Sequence, residues 1–424
     1  MRIIRLHSMI MLFLSAGLLL LLSACGGGGG GPAYSQEDLE GIWYTENRYF
    51  FIGGTGELTD VEPISSEIIH DFSGSFTVEN RNVTGTVNLD HTPGGGVRNA
   101  HDINYDGLFL NKNELDMDWE VPGADTGIEN WTRVPYTGIT EQAGITEENA
   151  SILAVNTWIS GATGSAVGIV GSVTETKATV DVNMTDMLFL FEAVILKIGP
   201  FSGENRPIVG AVETINETEN GSCGGSLHIV GTVDDQTGEV KGTVTFNDYC
   251  EEGIILDGSA DIMGHLDLIS EEFFHYLFTY KNLMATVLDQ SVVINGRTAG
   301  DFTVSPTRIM LSYVVEDIIT AKSYWLKDLI AGIVESLNYY EINELSGRYY
   351  DPDYGYVEVS VGDPIHVNED DFWPSSGSMI LLGAQNTKAR LTFVSATEFL
   401  IEADTDGDGL YDDYSSGIQL WSEL

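Results

Sequence analysis

Apolar and polar residues alternate over short stretches through most of the chain. SFTVENRNVTGTVNLD (75–90) and SLHIVGTVDDQTGEVKGTVTF (226–246) both show a period of two, which puts one face of a strand inside and the other in water. In the second stretch DDQTGE separates two alternating runs, the pattern of a hairpin. Turn signals recur every ~8–12 residues, which points to antiparallel sheets closed as a sandwich or a barrel. The expected class is therefore mainly all-β: a small antiparallel barrel, then a larger antiparallel β domain, sandwich or barrel, with a short linking helix.

The first unit covers residues 37–136. It opens on GIWYTENRYFF, passes through two alternating hairpins and closes on ENWTRV. The opening G-x-W and closing W-x-R resemble small lipocalin-like barrels, in which a tryptophan plugs one end and an arginine packs over it. The matching residues are Trp43 and Arg133. The resemblance implies a barrel mouth able to take a small apolar ligand, whereas Trp43 also fits as an ordinary core residue.

Residues 137–160 change texture. Thr146 is followed three places on by Asn149 rather than by the acid of a full capping box, and EENASILAVNTW carries apolar residues at helical spacing. A short helix is expected there, leading into a β domain over 161–345 and a C-terminal β extension over 346–424. ITEENASILA, SCGGSLHIVGTVDD, NDYCEEG and GRYYDPDYGYVEV resemble a β-rich domain of bacterial lipoproteins that has no assigned activity. This resemblance spans about residues 146–424 and conveys architecture, not mechanism.

One segment reads two ways. YVVEDIITAKSYWLKDLIAGIVESL (313–337) spaces Val315, Ile318, Ile319, Leu326, Leu329, Ile330, Ile333 and Leu337 as one face of a helix. The family resemblance instead suggests two strands turning near TAKS at 320–323.

The N-terminus supplies an address. Residues 1–24 run from Arg2 and Arg5 through a long apolar stretch to small residues, the order of a secretory signal. LLSAC at its end resembles the lipobox of bacterial lipoproteins, which implies that Cys25 becomes the lipid-carrying N-terminus. Residues 25–36 then hold a glycine-rich tether of flexible type. Gly26 stands where such lipoproteins carry an aspartate for inner-membrane retention, so the resemblance implies the outer membrane of a two-membrane bacterium, on its periplasmic or surface face. No later stretch approaches the ~20 apolar residues of a spanning helix.

Charge narrows the partners. The chain holds 64 acidic residues against 19 basic ones, a formal net charge of −45. Nucleic acid and anionic lipid surfaces are disfavoured by repulsion, and cations and cationic surfaces are favoured, with solubility in salty water as the plain alternative. A protein or glycan partner is the functional expectation beside this. A hydrophobic share of 43% argues for folded cores despite that charge. With Cys25 assigned to lipid, Cys223 and Cys250 remain as a pair in an exported chain, which reads as a disulfide.

The strongest chemical signal is EADTDGDGLYDDYSSG at 402–417. Asp404, Asp406 and Asp408 alternate, Gly409 follows, and Asp412 lies three further on. Calcium takes six to eight oxygens, and a short loop presents them through alternate carboxylates and one backbone carbonyl, here that of Leu410. Ser415 occupies the twelfth position, where an EF-hand needs a glutamate. The pattern resembles the D-x-D-x-D-G-x-x-D calcium loops of thrombospondin type 3 repeats and implies structural calcium. An acidic turn between two strands is the plain alternative.

No nucleophile elbow, zinc-protease helix, phosphate loop or haem motif occurs. His228, His265, His275 and His366 sit singly in strand-like runs and read as core or surface residues. A polysaccharide-active enzyme using a carboxylate pair stays open as an alternative, as does a carrier built on the N-terminal barrel. The favoured expectation is a non-enzymatic envelope or surface lipoprotein.

Overall fold

The computed structural model describes residues 33–36, 39, 41–44, 49–52, 57–63, 69–90, 101–111, 114–123, 125–134, 136, 138–166, 212–234, 236–251, 253–266, 273–287, 290–368, 371 and 373–423. Residues 1–24, read above as a signal, Cys25 and most of the expected tether lie outside these residues.

Two antiparallel sheets and one α-helix make up the described chain. The first sheet contains β1 (Gly41–Tyr44), β2 (Tyr49–Ile52), β3 (Glu57–Pro63), β4 (Ile69–Glu79), β5 (Asn82–Asp90), β6 (His101–Asn111), β7 (Glu114–Val121) and β8 (Asp125–Val134). Each strand pairs with the next, and β1 returns to β8 through Ile42–Val134, Trp43–Arg133 and Tyr44–Thr132, closing the barrel. Closure leaves no unpaired edge to recruit another chain.

Alternation sends Phe76, Val83, Val87, Ile103, Tyr105, Phe109, Leu115, Met117 and Trp131 into the barrel core. Asp102, Asn104 and Asp106 of DINYDG face outward from β6, where Asn104 accepts from Thr86 at 3.2 Å and Asp102 from Asn88 at 2.9 Å. These alternate polar residues are the outer face of the strand. Gly85 is required by close approach, because a Cβ there would lie 2.2 Å from the Phe76 ring.

The second sheet has fourteen strands in sequence order. They are β9 (Val212–Asn220), β10 (Gly224–Asp234), β11 (Glu239–Glu251), β12 (Ile254–Leu266), β13 (Phe273–Val287), β14 (Gln290–Asp301) and β15 (Thr307–Asp317). There follow β16 (Lys322–Ser336), β17 (Tyr339–Asp351), β18 (Gly355–Asn368), β19 (Ser376–Leu382), β20 (Lys388–Ser395), β21 (Glu398–Asp404) and β22 (Tyr414–Leu420). The boundary expected between 345 and 346 falls inside β17, where Leu345 and Ser346 pair in succession with Ala331 and Ile330 of β16, while the pairing with β18 shifts register between Ile342 and Ser346. The expected C-terminal extension is part of the same sheet.

Segment 313–337 forms two strands, β15 and β16, turning at 318–321. Its helical spacing arises because both faces are covered. Val315, Leu326, Leu329 and Ile333 join the inner core, while Val314 and Trp325 pack outside with Val134 and Tyr350. A strand buried on both faces loses its period-two signature.

The linking helix, α1 (Ala150–Ala166), is longer than expected and is a core element. Ala150, Leu153, Ala154 and Trp158 face the inner side of the sheet, and Tyr313 donates its hydroxyl to the Ser160 carbonyl at 2.6 Å. Asn149 supplies what the missing acid would have given: its Oδ1 accepts the Thr146 amide at 2.8 Å. This is the reciprocal half of a capping box. The preceding segment adds to the sheet through backbone bonds from Ala143 to Tyr356 and from Tyr356 to Glu141.

Cys223 and Cys250 form a disulfide between the start of the β10 hairpin arm and the end of β11, with Cα atoms 5.1 Å apart. Among the described residues, no helix is long and apolar enough to cross a membrane.

Candidate metal centre

The β21–β22 hairpin carries the acidic loop. β21 ends on Asp404, and β22 starts at Tyr414, paired with Ala403. Asp404 is 0% exposed, an unusual place for a carboxylate without ligands. Its two oxygens accept the amides of Gly407 at 2.7 Å and Gly409 at 2.8 Å. Gly409, the glycine expected for the sharp turn, has φ of 93°, which side chains other than glycine rarely adopt.

The loop's far arm is drawn in by a residue the sequence pattern did not single out. Asp413 Oδ2 accepts the Thr405 amide at 2.7 Å, the Thr405 hydroxyl at 3.0 Å and the Asp406 amide at 3.1 Å. These bonds, the Thr405 amide foremost, hold the Asp413 carboxyl below the usual aspartate range. One ligand atom from each of Asp404, Asp406 and Asp413 lies within 4.8 Å of the other two. Oxygens on opposite sides of a calcium ion stand about 4.6–5.2 Å apart, so one ion fits this spacing.

Of the carboxylates named from the sequence, Asp404 and Asp406 belong to this cluster, and Asp413 completes it; Asp408 and Asp412 are not among the three. Asp408 Oδ1 accepts the Leu410 amide at 2.8 Å. The Leu410 side chain is exposed. Counting residues along a loop cannot show which of two adjacent aspartates turns inward; the Thr405 contacts decide it.

Trp43 and Arg133 are in contact in the barrel wall. Trp43 is buried, donates Nε1–H to the Leu39 carbonyl at 2.8 Å, and lies under the Arg133 guanidinium at 4.4 Å. Phe109 meets Trp43 edge-on at 6.2 Å, and Trp131 meets Tyr105 at 5.3 Å and Phe76 at 5.6 Å. Protein rings therefore occupy the described barrel interior.

No protein-family model, characterised protein or solved structure matches this chain. Function rests on its own residues.

The aromatics of NYYEINELSGRYYDPDYGY divide between the two sheet faces. Tyr349 enters the inner core, and Tyr350 stacks on Trp325 at 4.3 Å on the other side. DPDYG is the tight turn between β17 and β18, with Asp351 Oδ1 accepting the Asp353 amide at 2.9 Å. Burial raises the Asp351 carboxyl above its ordinary range.

The four histidines read as core or surface residues each have a partner. His228 bonds Asn216 at 2.9 Å, and His366 lies 3.1 Å from Glu341. His265 and His275, on neighbouring strands, contact each other directly. A sequence separation of ten gives no hint of this pairing until the hairpin register is known.

Proposed function

We propose that this protein is a lipoprotein anchored through Cys25 at the outer membrane of a two-membrane bacterium, where its β-rich body binds a protein or glycan partner. A calcium ion held by Asp404, Asp406 and Asp413 fastens the last hairpin of that body. The observation that carries the calcium reading is the buried Asp404 carboxylate, with ligand atoms of Asp406 and Asp413 gathered within 4.8 Å. Three carboxylates at this spacing repel one another, and a divalent cation offsets that repulsion.

The role of the ion is structural. The loop oxygens also hold the Thr405, Asp406, Gly407 and Gly409 amides, so the cluster shapes the hairpin. The lipid anchor rests on the signal-like residues 1–24 and the LLSAC ending. The strongly acidic chain suits a cationic or neutral partner better than an anionic one.

The test uses the full chain purified in detergent. Calcium is expected to raise the melting temperature and magnesium to raise it much less, with Asp404→Asn abolishing the calcium response. In cells, Cys25→Ala is expected to move the protein from the membrane to the soluble fraction. A melting temperature indifferent to calcium removes the ion, and a membrane-bound Cys25→Ala protein removes the anchor.

A further inference from the structure

Glu239, His265, His275, Asp301 and Arg308 stand opposite one another on five consecutive strands, β11 to β15. Strand alternation puts this row on the face away from Val244, Ile262, Tyr276, Ile294 and Ile309, which belong to the inner core. The two histidines lie near the end of their hairpin, where β12 finishes at Leu266 and β13 begins at Phe273. Both rings are half-buried. His265 Nδ1 and His275 Nε2 are 2.8 Å apart, with ring centroids separated by 4.6 Å.

A contact of this length holds only while one of the two nitrogens keeps its lone pair. With both rings neutral, one nitrogen donates and the other accepts. A first proton leaves a charge-assisted bond between an imidazolium and an imidazole, which is stronger than the neutral one. A second proton turns both nitrogens into donors, so two like charges meet with no acceptor between them. The contact then breaks.

The charges around the pair favour the first proton more than the second. Among the described residues, Glu239 flanks His265 and Asp301 flanks His275, and each carboxylate interacts electrostatically with the histidine beside it. Both carboxylates also serve other partners. Glu239 pairs with Lys241 at 2.9 Å and feels the charge of Asp234, and Asp301 Oδ1 accepts the Thr303 amide at 2.9 Å and its hydroxyl at 2.6 Å. Arg308, opposite Asp301, brings a positive charge and lies 3.7 Å from Glu344. Further along the same two strands, Lys281 and Asp261 satisfy each other at 2.5 Å. Burial first, then the charge of His265, push the His275 imidazole below its ordinary range against the pull of Asp301.

We propose that His265 and His275 form an acid-sensitive clasp across β12 and β13, closed while the pair holds no more than one proton and opened by the second. The unfolded chain, with both rings in water, binds these protons first. Stability from the clasp is therefore complete above the ordinary histidine value of about 6.5 and is lost as pH falls from there toward the folded value. Ile262 and Tyr276 stay in the inner core on the opposite face, so opening loosens the hairpin end and not the whole sheet.

The experiment follows urea unfolding of the detergent-solubilised full chain from about pH 8 to about pH 5, with calcium in excess throughout. The midpoint of the unmutated protein is expected to fall over this range, and His265→Gln and His275→Gln are each expected to remove about half of that fall. The double substitution should remove little more than either alone, because both act through one contact. Groups elsewhere, Asp351 among them, cancel in the comparison since every variant keeps them. Where a variant does not fold, exchange of the histidine C2 protons, read by mass spectrometry on the unmutated protein, decides the matter. The peptides holding His265 and His275 are expected to titrate in two separated steps, the lower one below the single step of the unfolded chain. An unchanged pH dependence in the single variants, additive effects of the two substitutions, or a folded-state titration that matches the unfolded chain each overturns the proposal.

Discussion

The Arg133 guanidinium lies 4.4 Å over the Trp43 ring, and the two residues are direct register partners across the β1–β8 seam. The pair therefore sits where the first and last strands of the barrel meet. Arg133→Gln should lower stability by about 1 kcal/mol, the range of a partly desolvated cation–π contact. Trp43→Ala should cost about 3–5 kcal/mol, as for other buried tryptophans. Urea unfolding followed by tryptophan fluorescence checks both, and equal effects of the two substitutions contradict this ordering.

The acidic loop gives a comparison between neighbours. Asp413→Asn should weaken calcium binding by at least tenfold and lower the melting temperature in calcium, because it disturbs both the cluster and the bonds to Thr405. Asp412→Asn should change little. Calorimetric titration of the two variants separates them, and the reverse order restores Asp412 as the ligand.

Reduction should weaken the larger sheet. The Cys223–Cys250 bond closes a loop with a sequence separation of 27, for which chain entropy suggests roughly 3–4 kcal/mol. Adding a reductant, or replacing both cysteines by serine, should lower the denaturant midpoint correspondingly. An unchanged midpoint means that the β10–β11 pairing is self-sufficient.

Asp351 sets a pH dependence. Burial raises its carboxyl above the ordinary range, so the folded state binds its proton more readily than the unfolded state does. Its contribution is fully present below the ordinary pKa of about 4 and is lost as pH rises through the folded value. Asp351→Asn keeps an oxygen for the Asp353 amide and should raise the melting temperature at pH 7, with the gain vanishing near pH 3. Asp353, Lys322 and Tyr136 act on the same carboxyl, so the comparison is best made at fixed salt. A loss of stability at neutral pH instead shows that the charge itself is needed.

Much of the architecture was legible in local pattern. Alternation at 75–90 and 226–246 became β4–β5 and β10–β11, and DDQTGE became the turn between the latter pair. Cysteine number likewise pointed to the disulfide, because it is written directly in the chain. Trp43 and Arg133 were paired only by a resemblance, and the register across the β1–β8 seam places them together. The double-faced burial of Val314 and Trp325 defeated the same method, since periodicity reports only one buried face. The unity of the fourteen-strand sheet was also hidden, because local pattern marks turns but not whether pairing continues past them.

The sequence by itself determined the strand-forming runs, the acidic loop and the charge, which depend only on residue order and type. Tertiary structure decided that Asp413 and not Asp412 faces Asp404, that α1 enters the core, and that His265 meets His275. Those outcomes depend on register and packing between distant segments. A shift of one residue in a strand reverses every side chain, and only the assembled sheet fixes it.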